Sequence, residues 1–226
     1  LLGLLPSAQA DPAVNALPVE ASNFVSSGQV SAETVDSLTR NYIVGEHSVI
    51  NFDSHDIGAN AIVNYLGGED VRVVGRIGDS KASEIFGQLN SQVNLILLNK
   101  HGFLFGSSAR VNVNSLTASA LDMDADSIDN GVNFIELKDS PDFIPFEDGA
   151  EKIYTGTITL QQGAQLVTDQ QGSLFFFAPA AIINNAELNA EQGQVTLAAG
   201  SEVYLTQPLG ETSAILVAVE MTAEHV

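Results

Sequence analysis

Residues 172–200 read GSLFFFAPAAIINNAELNAEQGQVTLAAG, and this stretch decides the fold. Two short β-rich runs, Ser173 to Phe177 and Gln194 to Leu197, each follow a glycine, Gly172 and Gly193, so that Leu174 leads to Val195 and Phe176 to Leu197 over a step of 21 residues. Alternate residues of a strand share a face, so two matching registers offset by two are what stacked coils with one inward face produce. Carried along the chain, the step gives Val111, Val132, Ile153, Leu174, Val195 and Leu216, all apolar, and beside them Val113, Phe134, Thr155, Phe176, Leu197 and Ala218. A coil of about 20 residues holds three short strands and three turns, and coils stacked at roughly 4.8 Å bond each strand to its counterparts above and below. The predicted fold is an all-β, right-handed parallel β-helix (solenoid) with capping and extra-helical strands. Its stacked face is predicted to carry Val111, Val132, Ile153, Leu174 and Val195 inward.

The rest of the chain has the same texture. Ala61 to Tyr65, Val71 to Ile77, Val93 to Leu98 and Ile153 to Leu160 are further strand-length runs bounded by Gly, Asn and Asp, while helical periodicity is weak. One segment, Ala32 to Arg40 with Ser31 as N-cap, reads equally as a short helix or a polar loop. Gly156, Gly163, Gly172, Gly193 and Gly200 fit corners between faces, where positive φ is often needed. A β-sandwich would share this composition but would favour two-residue hairpin turns, which only Asn130-Gly131 and Asp148-Gly149 offer. Asp139 to Gly149, with Pro141 and Pro145, interrupts the pattern and is predicted to leave the helix. In Phe175-Phe176-Phe177, alternation puts the middle ring opposite its neighbours, so a covering strand or loop is expected rather than a sugar-binding platform.

Eight Lys plus Arg stand against 28 Asp plus Glu, a net charge of -20 that repels phosphate backbones and anionic lipid surfaces. Nucleic acid and the membrane surface are thereby poor partners. Hydrophobic residues make up 45% and come in strand-length runs, so the acidity belongs to a folded chain and not a disordered one. Leu1 to Ala10 resembles the end of a signal peptide with a small-x-small cleavage site, Ala8-Gln9-Ala10, which makes residues 1–10 a signal remnant and 11–226 one domain. No other run reaches the roughly 18 to 20 apolar residues that span a bilayer. The chain has no cysteine, so a large internal core is expected to stabilise it, and nothing cross-linked obstructs passage through a narrow pore.

Several elements, taken in order, resemble a known family. Ile50-Asn51-Phe52-Asp53-Ser54-His55-Asp56-Ile57-Gly58 and Val63-Asn64-Tyr65 look like its early strand pair. Val74-Gly75-Arg76-Ile77 sits where it has an Asn-Arg-Val element, and Ser83-Glu84-Ile85-Phe86-Gly87 is similar to its Ser-x-Ile-x-Gly step. At the centre, Leu97-Leu98-Asn99-Lys100-His101-Gly102-Phe103-Leu104-Phe105-Gly106 leads to Ala109, Val111-Asn112-Val113 and Thr117-Ala118-Ser119. With Gly172 to Pro179 and Gly193 to Gly200, the likeness covers roughly Ala21 to Leu205. The family is the N-terminal secretion domain of filamentous-haemagglutinin-like exoproteins, the passengers of two-partner secretion. Where its members carry an Asn-Pro-Asn-Gly turn, this chain has Asn99-Lys100-His101-Gly102. Asn at the first position can bond the backbone two residues on and Gly closes the turn, whereas Lys100 supplies no preset φ.

The resemblance implies a domain of a secreted or surface-exposed Gram-negative exoprotein that passes the periplasm and is handed, extended, to an Omp85-type outer-membrane transporter with periplasmic POTRA modules. Strand addition to a module's sheet edge would use mainly the backbone. The domain would then nucleate β-helix growth behind it, and the host or a neighbouring cell surface would be met through the downstream passenger. The chain is read as a truncated piece of a longer exoprotein.

Signals for chemistry are weak. Asp122, Asp124, Asp126 and Asp129 open like an EF-hand loop, but Ser127 replaces the tight-turn Gly and Asn133 the bidentate Glu, so a solvated acidic loop is favoured over calcium. His47, His55, His101 and His225 lack zinc-ligand spacing. Nucleophile-elbow, phosphate-loop and dinucleotide motifs are missing, so no cofactor and no enzymatic activity are expected. Two rival readings stay open: a β-helical polysaccharide lyase or glycosidase drawing on Arg110 and the Asp122 cluster, and a glycan- or surface-binding adhesin module.

Overall fold

The computed structural model describes residues 12–123, 134–138, 156–206 and 216–220. Among them lie twenty strands and no helix. The chain enters through a cap, with β1 (Val19–Ser27) antiparallel to β4 (Ser48–Ser54) and β2 (Val30–Thr34) antiparallel to β3 (Thr39–Val44). From β3 onward it winds as a parallel β-helix. The first face stacks β3, β5 (Ile62–Leu66), the first half of β8 (Gln88–Leu98), the first half of β10 (Arg110–Ser119), β14 (Gln165–Thr168) and β17 (Glu187–Asn189). The second stacks β4, β6 (Arg72–Ile77), the second halves of β8 and β10, β15 (Ser173–Ala178) and β18 (Gln194–Ala199). The third holds β7 (Ser83–Ile85), β9 (Gly102–Phe105), β13 (Thr157–Leu160) and β16 (Ala181–Asn184), with Ile57 bridged to Ile85 at its start. Six strands on each of the first two faces make six coils.

Period-two alternation divides every strand between an inner and an outer side. One inward column on the second face runs Ile50, Gly75, Leu97, Ala118, Phe176 and Leu197. Small residues alternate with large ones there, and a Cβ on Gly75 would lie 2.9 Å from Leu97 Cδ2. The outer side of the first face carries an asparagine ladder. Asn64 donates to Asn41 (2.8 Å), Asn90 to Asn64 (2.9 Å) and Asn112 to Asn90 (3.3 Å), one rung per coil.

After β10 the chain leaves the helix, and the next strand in the third face is β13. The excursion builds an antiparallel sheet, in order β11 (Asp122–Met123), β12 (Phe134–Lys138), β19 (Glu202–Thr206) and β20 (Leu216–Glu220). Its Met123, Val203 and Leu205 bury Val49, Val74, Ile96, Leu98, Phe175 and Phe177 on the outer side of the second face, forming a second core. Phe176 points inward, fully buried, and Phe175 and Phe177 lie under this cover, as alternation requires. Each fully buried Phe contributes about 1.5–3 kcal/mol relative to exposure, so the covering sheet stabilises the solenoid as well as shielding it.

The structure corrects three expectations. The 21-residue register holds between Leu174 and Val195 and between Phe176 and Leu197, but Val111 stacks on Leu89 and Leu166, while Leu174 stacks on Leu116. Val111 and Leu174 therefore lie on different faces, because the excursion inserts residues that a fixed period cannot see. Phe134, Leu216 and Ala218 belong to the antiparallel sheet, not the coils. Second, Ala32 to Arg40 is no helix: β2 and the start of β3 form a hairpin there, and only residues 35–38 are the loop between them. Third, of the five corner glycines only Gly163 has positive φ, at 100°. Gly172 and Gly193 are needed for close approach instead, since a Cβ would strike the carbonyl oxygens of Asn114 and Gly172 respectively. Val132, Ile153, Thr155, the Asp139 to Gly149 interruption and residues 1–10 lie outside the described residues.

Candidate functional site: the Asn99 to Gly102 turn

The turn joins β8 to β9 at the third coil. The Gly102 N–H donates to the Asn99 carbonyl (2.7 Å), which closes the turn, and the His101 N–H donates to Asn99 Oδ1 (2.9 Å), which satisfies the backbone from the side chain. Asn99 Nδ2 reaches back one coil, donating to Ser83 Oγ (2.9 Å) and the Lys81 carbonyl (3.1 Å). Its own N–H reaches forward to the Ser119 carbonyl (3.0 Å). Asn99 is fully buried with its amide spent in both directions, so an apolar replacement would strand these groups at about 1–3 kcal/mol. Gly102 has φ of 91°, and an added Cβ would collide with the Thr157 carbonyl oxygen of the next coil and lie 2.7 Å from its carbon. Lys100 and His101 are half-buried, and the Lys100 N–H makes no hydrogen bond among the described residues. Burial, then the charge of Lys100, pushes the His101 pKa below its ordinary value, against the pull of Asp79.

The other residues singled out by motif are contact points between coils. Ser83 meets Asn99 directly, and Ile85 pairs with Phe105, whose ring stacks on Phe103 (6.2 Å) and meets Phe176 edge-on (5.9 Å). At Gly87 a Cβ would strike the carbonyls of Gly58 and Ala61, and at Gly106 the ring of Phe86. Ala118 is fully buried between Leu97 and Phe176 in the inner column, and Ser119 Oγ bonds the Leu121 carbonyl (2.9 Å) and accepts its N–H (3.0 Å). Arg76 pairs in register with Leu98, the residue before the turn, but its side chain is turned to the covering sheet. Its guanidinium donates to the Met123 carbonyl (2.9 Å) and pairs with Asp122 (3.5 Å), tying β11 to the helix.

Two polar clusters gave no sign of themselves in the motifs that contain their members. Lys81 Nζ lies 2.8 Å from Asp56 Oδ2 and 3.0 Å from Glu84 Oε2, and Glu84 is only 1% exposed although its neighbours Ser83 and Ile85 hold the inward positions. Burial opposes the Lys81 charge, but hydrogen bonds to Asp56 and Glu84 outweigh it and raise the ammonium's pKa. In the first coils, fully buried His55 bonds Tyr65 Oη through Nε2 (2.9 Å), Nδ1 has no side-chain partner among the described residues, and Phe52 and Tyr65 flank the ring. Burial lowers the His55 pKa to about 4. Only full burial distinguishes either cluster from surface charge, and burial is not written in a local motif.

The pieces of the rival readings do not converge. Arg110 begins β10 and bonds the Gly163 carbonyl (3.0 Å), whereas Asp122 lies beyond the strand's other end, paired with Arg76. His47 accepts the Arg72 N–H at Nδ1 (3.0 Å) and His55 is enclosed in the core. Among the described residues no group of three or more His, Cys, Asp or Glu is placed to hold a metal ion. Asp124, Asp126, Asp129 and His225 fall outside those residues.

In architecture the chain is similar to the crystal structure of the HMW1 secretion domain from Haemophilus influenzae, with a TM-score of 0.73 at 21% identity over 88% of this chain and 48% of that one. The chain thus spans about half the length of the structure it matches. No curated protein matches it in sequence. The sequence profile of the TPS secretion domain matches residues 15–223, nearly the whole of the solenoid and its covering sheet. The chain belongs to the TPS secretion domain family, the domains that commit Gram-negative exoproteins to export by two-partner secretion.

Proposed function

We propose that this domain directs a large exoprotein through an Omp85-type outer-membrane transporter, reached by way of the periplasm and its POTRA modules, and then nucleates folding of the passenger as a β-helix. The Asn99 to Gly102 turn serves this route through its backbone geometry and not as a side-chain tag. The observation carrying the reading is the division of labour within the turn: Asn99 and Gly102 make its side-chain bonds and its close approach to Thr157, while Lys100 and His101 take part through backbone atoms, the His101 N–H and the Lys100 carbonyl against Gly156. On β18, Val195 and Leu197 continue the inward columns and are 39% and 40% exposed.

The test is export of a tagged passenger into the medium with its cognate transporter co-expressed, periplasmic levels serving as the stability control. The free Lys100 N–H makes proline acceptable there, so Lys100→Pro with His101→Asn preserves or improves export. Gly102→Val impairs it, and Asn99→Ala is intermediate. Normal export of Gly102→Val together with failure of the double variant overturns the reading in favour of direct recognition of positions 100 and 101.

A further inference from the structure

We propose that Lys81 is the positioning residue of the export turn: by pairing with buried Glu84, and bridging it to Asp56, it fixes the corner from which its own carbonyl and Ser83 Oγ hold Asn99. The inference rests on the reading of the turn given above and deepens it.

One column of corners runs through four successive coils. Asp56 lies in the corner after β4, Lys81 and Glu84 in the corner before and within β7, Asn99 before β9, and Thr157 at the start of β13. The first two are joined by the Lys81 pairs, by the Glu84 N–H donating to Asp56 Oδ1 (2.9 Å) and by the Ile57 N–H donating to the Glu84 carbonyl (2.9 Å). The second and third are joined by the Asn99 amide, and the third and fourth by the close approach of Gly102 to Thr157.

Within this column Glu84 is the vulnerable member. Its carboxylate is 1% exposed, and Oε1 has no hydrogen-bond partner among the described residues. Among the described residues Lys81 is the one cation paired with it or with Asp56. A carboxylate left buried without its partner is strongly destabilising, and the local escape is for the strand to turn Glu84 out to water. That movement carries Ser83 Oγ and the Lys81 carbonyl away from Asn99 Nδ2. The turn then loses its hold on the coil behind and keeps its internal bonds and the Asn99 N–H bond to Ser119. The elevated pKa of Lys81 agrees with a cation engaged by both carboxylates, although the ammonium itself is 41% exposed.

The experiment uses the full chain, with hydrogen exchange at the His101 and Gly102 amides as the local readout and transporter-dependent export as the functional one. Lys81→Met is expected to accelerate exchange at both amides by about tenfold or more while leaving β15 and β18 protected, and to lower export. Lys81→Arg retains both, since it keeps the charge. Lys81→Met with Glu84→Gln restores both, because the buried group no longer needs a counter-charge. A merely structural lysine stem would not be rescued by changing Glu84. Should Lys81→Met fail to fold, rescue by the second substitution supports the proposal and failure of rescue overturns it. Unchanged exchange and export in Lys81→Met, with export lowered in Asn99→Ala, also overturns it. Normal export of Asn99→Ala instead removes the underlying reading of the turn, whatever Lys81 does to exchange.

Discussion

Replacing Gly102 by alanine perturbs the third coil at the point where two constraints coincide. With φ of 91° the residue sits in the left-handed region, which costs an L-residue about 1–2 kcal/mol. The new Cβ also meets Thr157, 2.8 Å from its nitrogen and 2.7 Å from its carbonyl carbon, closer than real contacts allow. Both neighbours are backbone and Thr157 opens β13, so relief means shifting that strand away from β9 and losing one or two ladder bonds at about 0.5–1.5 kcal/mol each. Together these come to about 2–5 kcal/mol, or roughly 5–15 °C in melting temperature for a domain of this size. Gly68→Ala is the matched control. Its φ is not positive and its nearest neighbour is Val71 Cγ2 at 3.5 Å, so a change within about 0.5 kcal/mol is expected. Urea denaturation followed by far-UV circular dichroism measures both. A Gly102→Ala variant within about 0.5 kcal/mol of the parent would show that β13 yields freely, and the geometric account of the turn would fall.

Two further predictions test the helix on either side of this coil. His55 is held neutral: its folded pKa of about 4 lies below the ordinary 6.5, so its contribution is intact above about pH 6.5 and is lost as the pH falls toward 4. The full displacement amounts to on the order of 3 kcal/mol, so the parent should lose more stability than His55→Gln between pH 7 and pH 4.5, and parallel pH profiles would contradict this. On the outer side of the first face, Val167 interrupts the asparagine ladder between Asn112 and Asn189. Val167→Asn should join the rungs and raise the melting temperature by about 1–3 °C, since each bond adds roughly 0.5–1 kcal/mol at an exposed site; a lower melting point would show that the ladder does not stabilise.

The fold class was legible because it depends on period two and on coil length, both local properties. Ser173 to Phe177 and Gln194 to Leu197 form adjacent stacked strands, as their shared register predicts. The wider register failed at Val111, where its next partner, Leu166, follows an excursion that no period anticipates. Ala32 to Arg40 was misjudged because β2 is an edge strand of the cap, exposed at Ser31 through Thr34, and so lacks the alternation by which strands are recognised. The turn was legible through Asn and Gly, whose backbone chemistry is intrinsic. Lys81, Glu84 and His55 were not. Their roles come from being enclosed by other coils, and Glu84 holds an outward position that alternation assigns to solvent.

That distinction between local and enclosed contacts bears on when the turn can act. In a chain threading a pore, neither Ser83, Ser119 nor Thr157 is in place, and bringing such partners together costs loop-closure entropy that only a stacked coil offsets. Two bonds of the site span two and three residues, from the His101 N–H to Asn99 Oδ1 and from the Gly102 N–H to the Asn99 carbonyl. These alone can form transiently in the extended chain, and neither involves the side chain of Lys100 or His101. On the proposed route the turn is therefore bent before it is packed. Once outside, the Asn99 amide and the Gly102 approach to Thr157 engage the coils behind and ahead, and a corner that was only transiently populated becomes a fixed one. Substitutions that spare the two local bonds but break the coil-to-coil contacts, Lys81→Met among them, should thus act after threading begins, whereas Asn99→Ala removes a local bond and acts at both stages.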